Sequence, residues 1–463
     1  MSLVSRRFAS ENVLKQIYFG NWLRDFSQVL DPVIVRKPDA PKDFPRAISR
    51  KKLTQLVDLF AELEFVVTPA DKKIFQVTEP LLGVYRPVEH IDNPTNNAPG
   101  APDPQSIDKD FQPRATKEYV AVDPATSMKR YIGFSVKYMR DEINKAVAAG
   151  PGKDGYRHFG AALHVLEDYF AHSNFLELSL RKVGHSKVLP WTSPAAGKHR
   201  LPVVTGMFDS DDVIASTAGL IADTLFKVEW DFKATKPGER TKVDRIMLIL
   251  LSEHSDPRLL ASYQDFLVVR DTIAKIPGHQ YLEGAMHYTL GMVANVYNFV
   301  YSSLIHLVGN SVDDQQILRI GDPNTNGSTD PTHSQLAKDH DNHPFHTLAA
   351  SLAKVAVGQV GRAMAARWWG GDVSADPAAV AASFIVHPLD TNWQDAMVKE
   401  WAAKHPQQVL RGQSATEWEA LEKAHKQETI DAINKTKKQS NDIWGYINKN
   451  YQSIFGTENQ VRK

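Results

Sequence analysis

Apolar residues recur at helical spacing along most of the chain. In ASENVLKQIYFGNWLRDFSQVL (9–30) the pattern begins behind Ser10, a suitable N-cap, and runs until Asp31-Pro32 stops it. Residues 49–66 and 127–149 are amphipathic in the same way, and the spacing returns over 155–182, 210–230, 242–271, 280–309 and 333–369. Segment 415–455 is strongly polar but spaces Trp418, Leu421, Ile430, Ile433, Ile443 and Ile447 on one face, which predicts one or two helices that dock on the core or self-associate. Strand-like alternation is confined to 73–78 (KIFQVT) and 201–205 (LPVVT). No repeat of domain-building length occurs. The predicted class is mainly α, a large helical domain with long irregular loops and few short strands.

Two segments break the pattern. Residues 91–124 carry six prolines among Asn and Asp, and 310–332 contains GDPNTNGSTDP; long irregular excursions of this kind are commonly functional. After Gly370-Gly371 the character shifts, which predicts a helical domain over 1–370 and a C-terminal helical extension over 371–463. From Gly284 to Val312 there is no Asp, Glu, Lys or Arg, a length that would permit a membrane span. Asn295, Asn298, Ser302, Ser303 and the tyrosines dilute it, so it reads as a core helix of a soluble protein. The N-terminus, MSLVSRRFASENVLKQIYFGNW, lacks the apolar run of a secretory signal. Either a cytoplasmic location or export by a signal-independent route is expected.

With 463 residues, 42% of them hydrophobic, the chain can bury a sizeable core. Lys+Arg and Asp+Glu are both 54, and that balance argues against a nucleic-acid partner, which calls for a basic surface. Cysteine is absent while histidine numbers 17, so disulfides, thiol nucleophiles and Cys-ligated zinc are excluded. No GxxxxGK[ST], Rossmann GxGxxG, GxSxG or HExxH occurs, which disfavours NTP hydrolysis, hydride transfer and serine-lipase chemistry.

The remaining chemistry is imidazole and carboxylate. In RHFGAALHVLEDYFAHSNFLEL (157–178), His164, Asp168 and His172 are spaced i, i+4, i+8, on a stripe about 80° wide flanked by apolar residues. Such groups are costly to bury unless paired or metal-bound. Two imidazoles around a carboxylate suit Zn²⁺, and the carboxylate could bridge two ions; histidines merely hydrogen-bonded to Asp168 are the alternative. Further groups gather at EHIDNP (His90, Asp92), at GNWLRD (Asn21 and Asp25 on one face) and in HSQLAKDHDNHPFH, which includes His333, Lys338 and His340. His279 and Glu283 in PGHQYLEGAMH repeat the first spacing and supply either a second metal position or an ordinary surface pair.

YFGNWLRDFSQ (18–28), GVYRPVEHIDNP (83–94), ALHVLEDYFAHSNFLEL (162–178), VTGMFDSDDVIAS (204–216) and DPTHSQLAKDH (330–340) together resemble, in order, the blocks of the Het-C family of heterokaryon-incompatibility proteins. The His164 block is also similar to the helical signature of zinc-dependent phospholipases C and related zinc nucleases. That similarity implies an all-helical phosphodiesterase fold with two or three zinc ions, Ca²⁺ being the alternative. It implies His164, Asp168 and His172 as ligands and His279 and Glu283 as a later-helix pair. Asp25, His90, His333 or His340 would replace the N-terminal ligand of those enzymes, and Asp25 or Asp92 would act as base. The implied reaction is hydrolysis of glycerophospholipids to diacylglycerol and phosphorylated headgroup at a membrane surface, by an effector with an immunity or secretion partner or as an oligomer. Phe26, Tyr169, Phe170, Trp191 and Phe208 are acyl or interface contacts on this reading, core aromatics on the other. The alternative function is a non-catalytic membrane-active protein with a structural metal, working through 284–312 and 415–455.

Overall fold

In the computed structural model, which describes residues 10–95, 103–207, 236–273, 275, 322–338 and 342–416, two helices touch backbone to backbone. The Glu11–Ser27 helix crosses the central Lys153–His172 helix at Gly20 and Gly160. A Cβ on Gly160 would lie 1.9 Å from the Ile17 carbonyl oxygen, and one on Gly20 2.2 Å from that of Arg157. Only glycine at both positions permits this approach. It brings Asn21 and Asp25 alongside the His164 end of the central helix, one turn beyond Gly160.

The backbone contacts divide the chain into two units. The first comprises Met1–Pro32, Ala61–Asp209 and Ile317–Ala424. Its core joins the apolar face of the Arg130–Ala149 helix (Tyr131, Ile132, Met139, Ile143) to Phe159, Val165, Leu166 and Phe170 of the central helix. Leu352, Val360 and Met364 of the His346–Trp369 helix complete it, with Phe384, Val398, Trp401 and Val409 from beyond residue 371. The second unit comprises Val33–Phe60, Ser210–Gln316 and His425–Lys463. There the two-residue strands Val35–Arg36 and Ile48–Ser49 pair in parallel, and buried Glu253 accepts from Ser49 N at 2.8 Å and Arg36 Nη2 at 3.1 Å. The Lys242–Leu251 helix begins in a Thr241/Asp244 capping box.

Most helical stretches stand where the spacing puts them, but three are broken. Over 155–182 the chain leaves the helix at Ser173, which is extended, and restarts as Phe175–Lys182. Over 242–271 it ends at Leu251 and restarts at Pro257, and over 333–369 it ends at Leu336 and restarts at His346. The strand expected over 73–78 is not formed: Asp71–Ile74 is a helical turn and 75–78 is neither helix nor strand, while the Asp71 carboxylate accepts from Val67 and Thr68 N–H in the chain leading into the turn. Residues 201–205 make only isolated bridges, Val203 to Met128 and Thr205 to Ser173. The other short pair is Val122–Asp123 with Met128–Lys129, antiparallel. Tyr169, Phe170 and Trp191 are core aromatics rather than acyl contacts, all buried; Phe26 stacks on Trp22 with centroids 3.9 Å apart. Phe208 and the 210–230, 284–312 and 417–463 stretches lie outside the described residues, among which no helix is long and apolar enough to cross a membrane.

His387 is buried with both ring nitrogens committed. Nε2 faces the Leu201 carbonyl at 2.9 Å, and Nδ1 accepts from Leu389 N–H at 3.2 Å. Burial, against the pull of the Leu201 carbonyl, holds its pKa down at about 4.

The glycine crossing makes the first prediction. Gly160→Ala should cost about 3 kcal/mol or more in a denaturant unfolding experiment, since backbone atoms cannot yield as a side chain can. Gly133→Ala, on an exposed helical site with nothing within 4 Å, should gain about 0.5–1 kcal/mol. Equal effects would contradict the crossing. The second concerns pH. With the folded pKa of His387 below its unfolded value, its contribution is complete above about pH 6.5 and is lost as pH falls toward about 4, by roughly 1–3 kcal/mol. His387→Gln should flatten the wild-type decline in unfolding free energy across that window; an unchanged slope would refute the assignment.

Candidate metal centre

The central helix ends in a stripe of ionisable groups under an apolar roof. His164, Asp168 and His172 are 3%, 7% and 7% exposed. Around Asp168 the chain forms two groups, each with ligand-type atoms within 4.8 Å of one another: His90, His164 and Asp168; and Asp92, His172 and His333.

In the first, His164 Nε2 lies 2.9 Å from His90 Nδ1 and 3.0 Å from Asp168 Oδ2, and His90 Nδ1 lies 3.8 Å from Asp168 Oδ2. A tetrahedral ion with bonds of about 2.0–2.1 Å holds its ligand atoms about 3.3 Å apart, and these three separations straddle that value. The outer nitrogens are engaged as ligand histidines require: His164 Nδ1 is 3.3 Å from Asn21 Oδ1 and 3.7 Å from Asp25 Oδ1, and His90 Nε2 is 3.2 Å from Ser27 Oγ. The Gln28 amide, 3.1 Å from His90 Nδ1, would have to yield to an ion. In the second group Tyr85 donates to Asp92 Oδ2 at 3.0 Å, while buried Asp92 Oδ1 has no hydrogen-bond partner. The His172 and His333 rings meet edge to face, 4.5 Å apart. Asp168 spans the two groups, with Oδ2 in the first and Oδ1 3.9 Å from His172 Nδ1.

The electrostatics are those of a site that attracts a cation. Burial opposes charge on His164, but Asp168 and Asp25 outweigh it and push its pKa up to about 9. Burial, then the neighbouring His164, holds His90 well below the usual histidine range. Burial pushes Asp92 up to about 8, with His172 opposing, and Glu167 up to about 7, against a 2.7 Å hydrogen bond from Asn21. Without an ion the first group therefore centres on a single proton, carried by His164 between two acceptors. Lone pairs converging on one point, with a carboxylate oxygen left unsatisfied nearby, fit a divalent ion. Two imidazoles and one carboxylate are borderline donors that suit zinc better than calcium, which takes oxygen ligands.

One strand-like segment laces the second group together. Gly206 N–H donates to the His172 carbonyl at 3.2 Å, Asn93 N–H to the Gly206 carbonyl at 3.0 Å, and His333 N–H to the Met207 carbonyl at 2.8 Å. A Cβ on Gly206 would lie 2.6 Å from His333 Cα. Asn174 anchors the segment, exchanging backbone and side-chain hydrogen bonds with Val204 at 2.9–3.1 Å. Lys338, paired with Glu177 at 3.0 Å and donating to the Ser173 carbonyl at 2.9 Å, ties the His333–Leu336 turn to the end of the central helix.

Of the residues singled out from sequence, Asp25, His90, Asp92, His164, Asp168, His172 and His333 thus gather at one end of the central helix. His279, Glu283 and His340 lie outside the described residues. Asp92, read from the sequence as a base, occupies a ligand position, and Asp25, read as ligand or base, sits 54% exposed beside His164. Sequence reasoning missed Tyr85, Gly206 and Glu167. The first two lie in the recurrent blocks GVYRPVEH and VTGMF, and Glu167 is one turn beyond His164, which was the available signal. Arg24, adjacent to Asp25, faces away and is buried against Glu89 and the Leu81 and Leu82 carbonyls.

The fold and centre define a mainly helical protein with buried His/Asp groups able to hold a metal ion. The chain belongs to the Het-C family: the family model of heterokaryon incompatibility protein Het-C matches residues 1–281, more than half of its length. No curated protein and no solved structure matches it.

Chelator-treated protein titrated with Zn²⁺ should take up at least two ions per chain, read by elemental analysis. Asp168→Asn should lose one ion or more, and Tyr85→Phe should weaken one class of site roughly tenfold with the fold intact by circular dichroism. Unchanged zinc content in Asp168→Asn would remove Asp168 from the centre.

Proposed function

We propose that the chain is a zinc-dependent phosphodiester hydrolase of phospholipase C type, which releases phosphorylated headgroup and diacylglycerol from glycerophospholipids. The observation that carries the reading is Asp168, a buried carboxylate whose Oδ2 belongs to the first group while its Oδ1 lies 3.9 Å from His172 Nδ1 of the second. His90, His164 and Asp168 would hold one ion, and Asp92, His172 and His333 another. When bound, zinc supplies positive charge against the phosphodiester oxygens and acidifies water toward neutrality.

The chain's own groups divide the remaining work. Asp25 is the carboxylate near the centre that also reaches solvent, at 54% exposure, so it is the residue placed to accept a proton from the attacking water. Asn21 orients His164 through Nδ1 and holds the Glu167 carboxyl. Tyr85 fixes Asp92. A second reading, a structural metal in a membrane-active protein, draws on the burial of five of the six ligand candidates.

Phosphatidylcholine vesicles decide between them. Phosphorylcholine should appear, stop with chelator and return with Zn²⁺. His172→Ala should abolish release while keeping helical content, and Asp25→Asn should lower kcat roughly 10²–10⁴-fold with zinc retained. Absence of release from wild type, with unfolding of His172→Ala, would favour the structural reading. Free fatty acid as sole product would refute phosphodiester cleavage.

A further inference from the structure

Asn21 stands between two groups of the central helix, with one end of its amide on each. Its Nδ2 donates to Glu167 Oε2 at 2.7 Å, and its Oδ1 lies 3.3 Å from His164 Nδ1. His164 and Glu167 are three residues apart on the Lys153–His172 helix, so both reach one side of it. The Asn21 backbone is seated against the same helix, its N 2.8 Å from where a Cβ on Gly160 would stand. What remains free is the sense of the amide, because its oxygen and nitrogen ends have nearly the same size and shape.

That sense decides which nitrogen of His164 can face an ion. With Oδ1 toward the ring the amide only accepts, so Nδ1 keeps its proton and Nε2 presents a lone pair. Nε2 is the nitrogen 2.9 Å from His90 Nδ1 and 3.0 Å from Asp168 Oδ2, inside the first group. With the amide reversed, its NH₂ would demand a lone pair on Nδ1, and the proton would sit on Nε2, where it blocks a ligand bond. Nothing in the amide itself prefers the first sense. Glu167 does: an ionised carboxylate has no proton to give, so it takes the Nδ2 end and turns Oδ1 to the ring. Asp25 Oδ1, 3.7 Å from the same Nδ1, pulls the same way, but it lies beyond hydrogen-bond distance and its side chain is half exposed, where water and salt screen it.

We propose that Glu167 is a positioning residue that acts through Asn21 to keep the proton of His164 on Nδ1 and leave Nε2 free as a metal ligand. This role rests on the zinc centre read above, though not on hydrolysis, because zinc binding alone tests it. The full chain, stripped with chelator, is titrated with Zn²⁺ against a chromophoric chelator at mildly alkaline pH. Glu167→Gln, which can offer Asn21 either end of its own amide, should weaken one class of zinc site roughly tenfold or more, with helical content unchanged by circular dichroism. Asn21→Leu should weaken it similarly. Adding Glu167→Gln to Asn21→Leu should change nothing further, since no amide is left to orient. Asn21→Asp/Glu167→Gln should recover most of the lost affinity, because the new carboxylate accepts both from the ring and from the new amide. In nitrogen-15 histidine spectra of the zinc-loaded protein, the His164 Nδ1 proton should be protected from exchange in wild type and in that rescued pair, and exchange-broadened in Glu167→Gln.

A bond that only braces the two helices would survive the isosteric Glu167→Gln with affinity unchanged, and that result overturns the proposal. So does an equal loss from Glu167→Gln with Asn21 or with Leu at position 21, which would mark a charge effect, and so does a double variant that recovers nothing. Wild type that takes up no zinc would remove the centre and this role together. Zinc binding that depends on Glu167 in the expected way, without headgroup release, would retain the role and remove the enzyme.

Discussion

Backbone meets backbone where the Glu11–Ser27 helix crosses the central helix, and that contact sets Asn21 and Asp25 beside His164. Without Cβ atoms at Gly20 and Gly160 the helices close to a distance no side chain would allow. Asn21 and Asp25, one and five residues past Gly20, and His164 and Glu167, four and seven past Gly160, are thereby brought into reach. A wider crossing would separate Asn21 from His164 by more than a hydrogen bond. The FGN and HFG segments of this chain thus do architectural work that supports chemistry they do not perform.

The second constraint is the cost of burying charge. Five ionisable side chains under 10% exposed stand within a few ångströms of one another. Burial pushes Asp92 and His90 toward their neutral forms, while the neighbouring Asp168 and Asp25 carboxylates restore charge to His164. A divalent cation resolves the conflict more completely than a proton, since it satisfies several lone pairs at once. The same argument separates the two aspartates: Asp92 has no access to bulk water, whereas Asp25 has.

Gly206 connects these two themes. It lets the 203–207 segment pass against His333 and bond to the end of the central helix, so that residues far apart in sequence meet at Asp168. The matched family region stops at residue 281, yet His333 enters through this lacing. A metal reading that used only the matched region would lack one ligand candidate.

Helical periodicity determined the class, the extent of the main helices and the i, i+4, i+8 stripe of His164, Asp168 and His172, because these depend on local geometry repeated every few residues. Composition determined that no metal ligand is a thiolate, which leaves imidazole, carboxylate, backbone or water. Tertiary structure alone decided what periodicity cannot carry. It broke the helix at Ser173 so that Asn174 could bind Val204, and it left KIFQVT without strand pairing, its first two residues closing the Asp71–Ile74 turn. It also sent Tyr169 and Phe170 into the core. Long-range proximity has no periodic signature: Asp25, His90, Asp92 and His333 were visible as suitable residue types, but their convergence on Asp168 is fixed by two glycine contacts and a lacing segment. That is why the sequence named the ligand candidates while only the folded chain sorted them into two neighbouring groups, with Asp168 of the first 3.9 Å from His172 of the second.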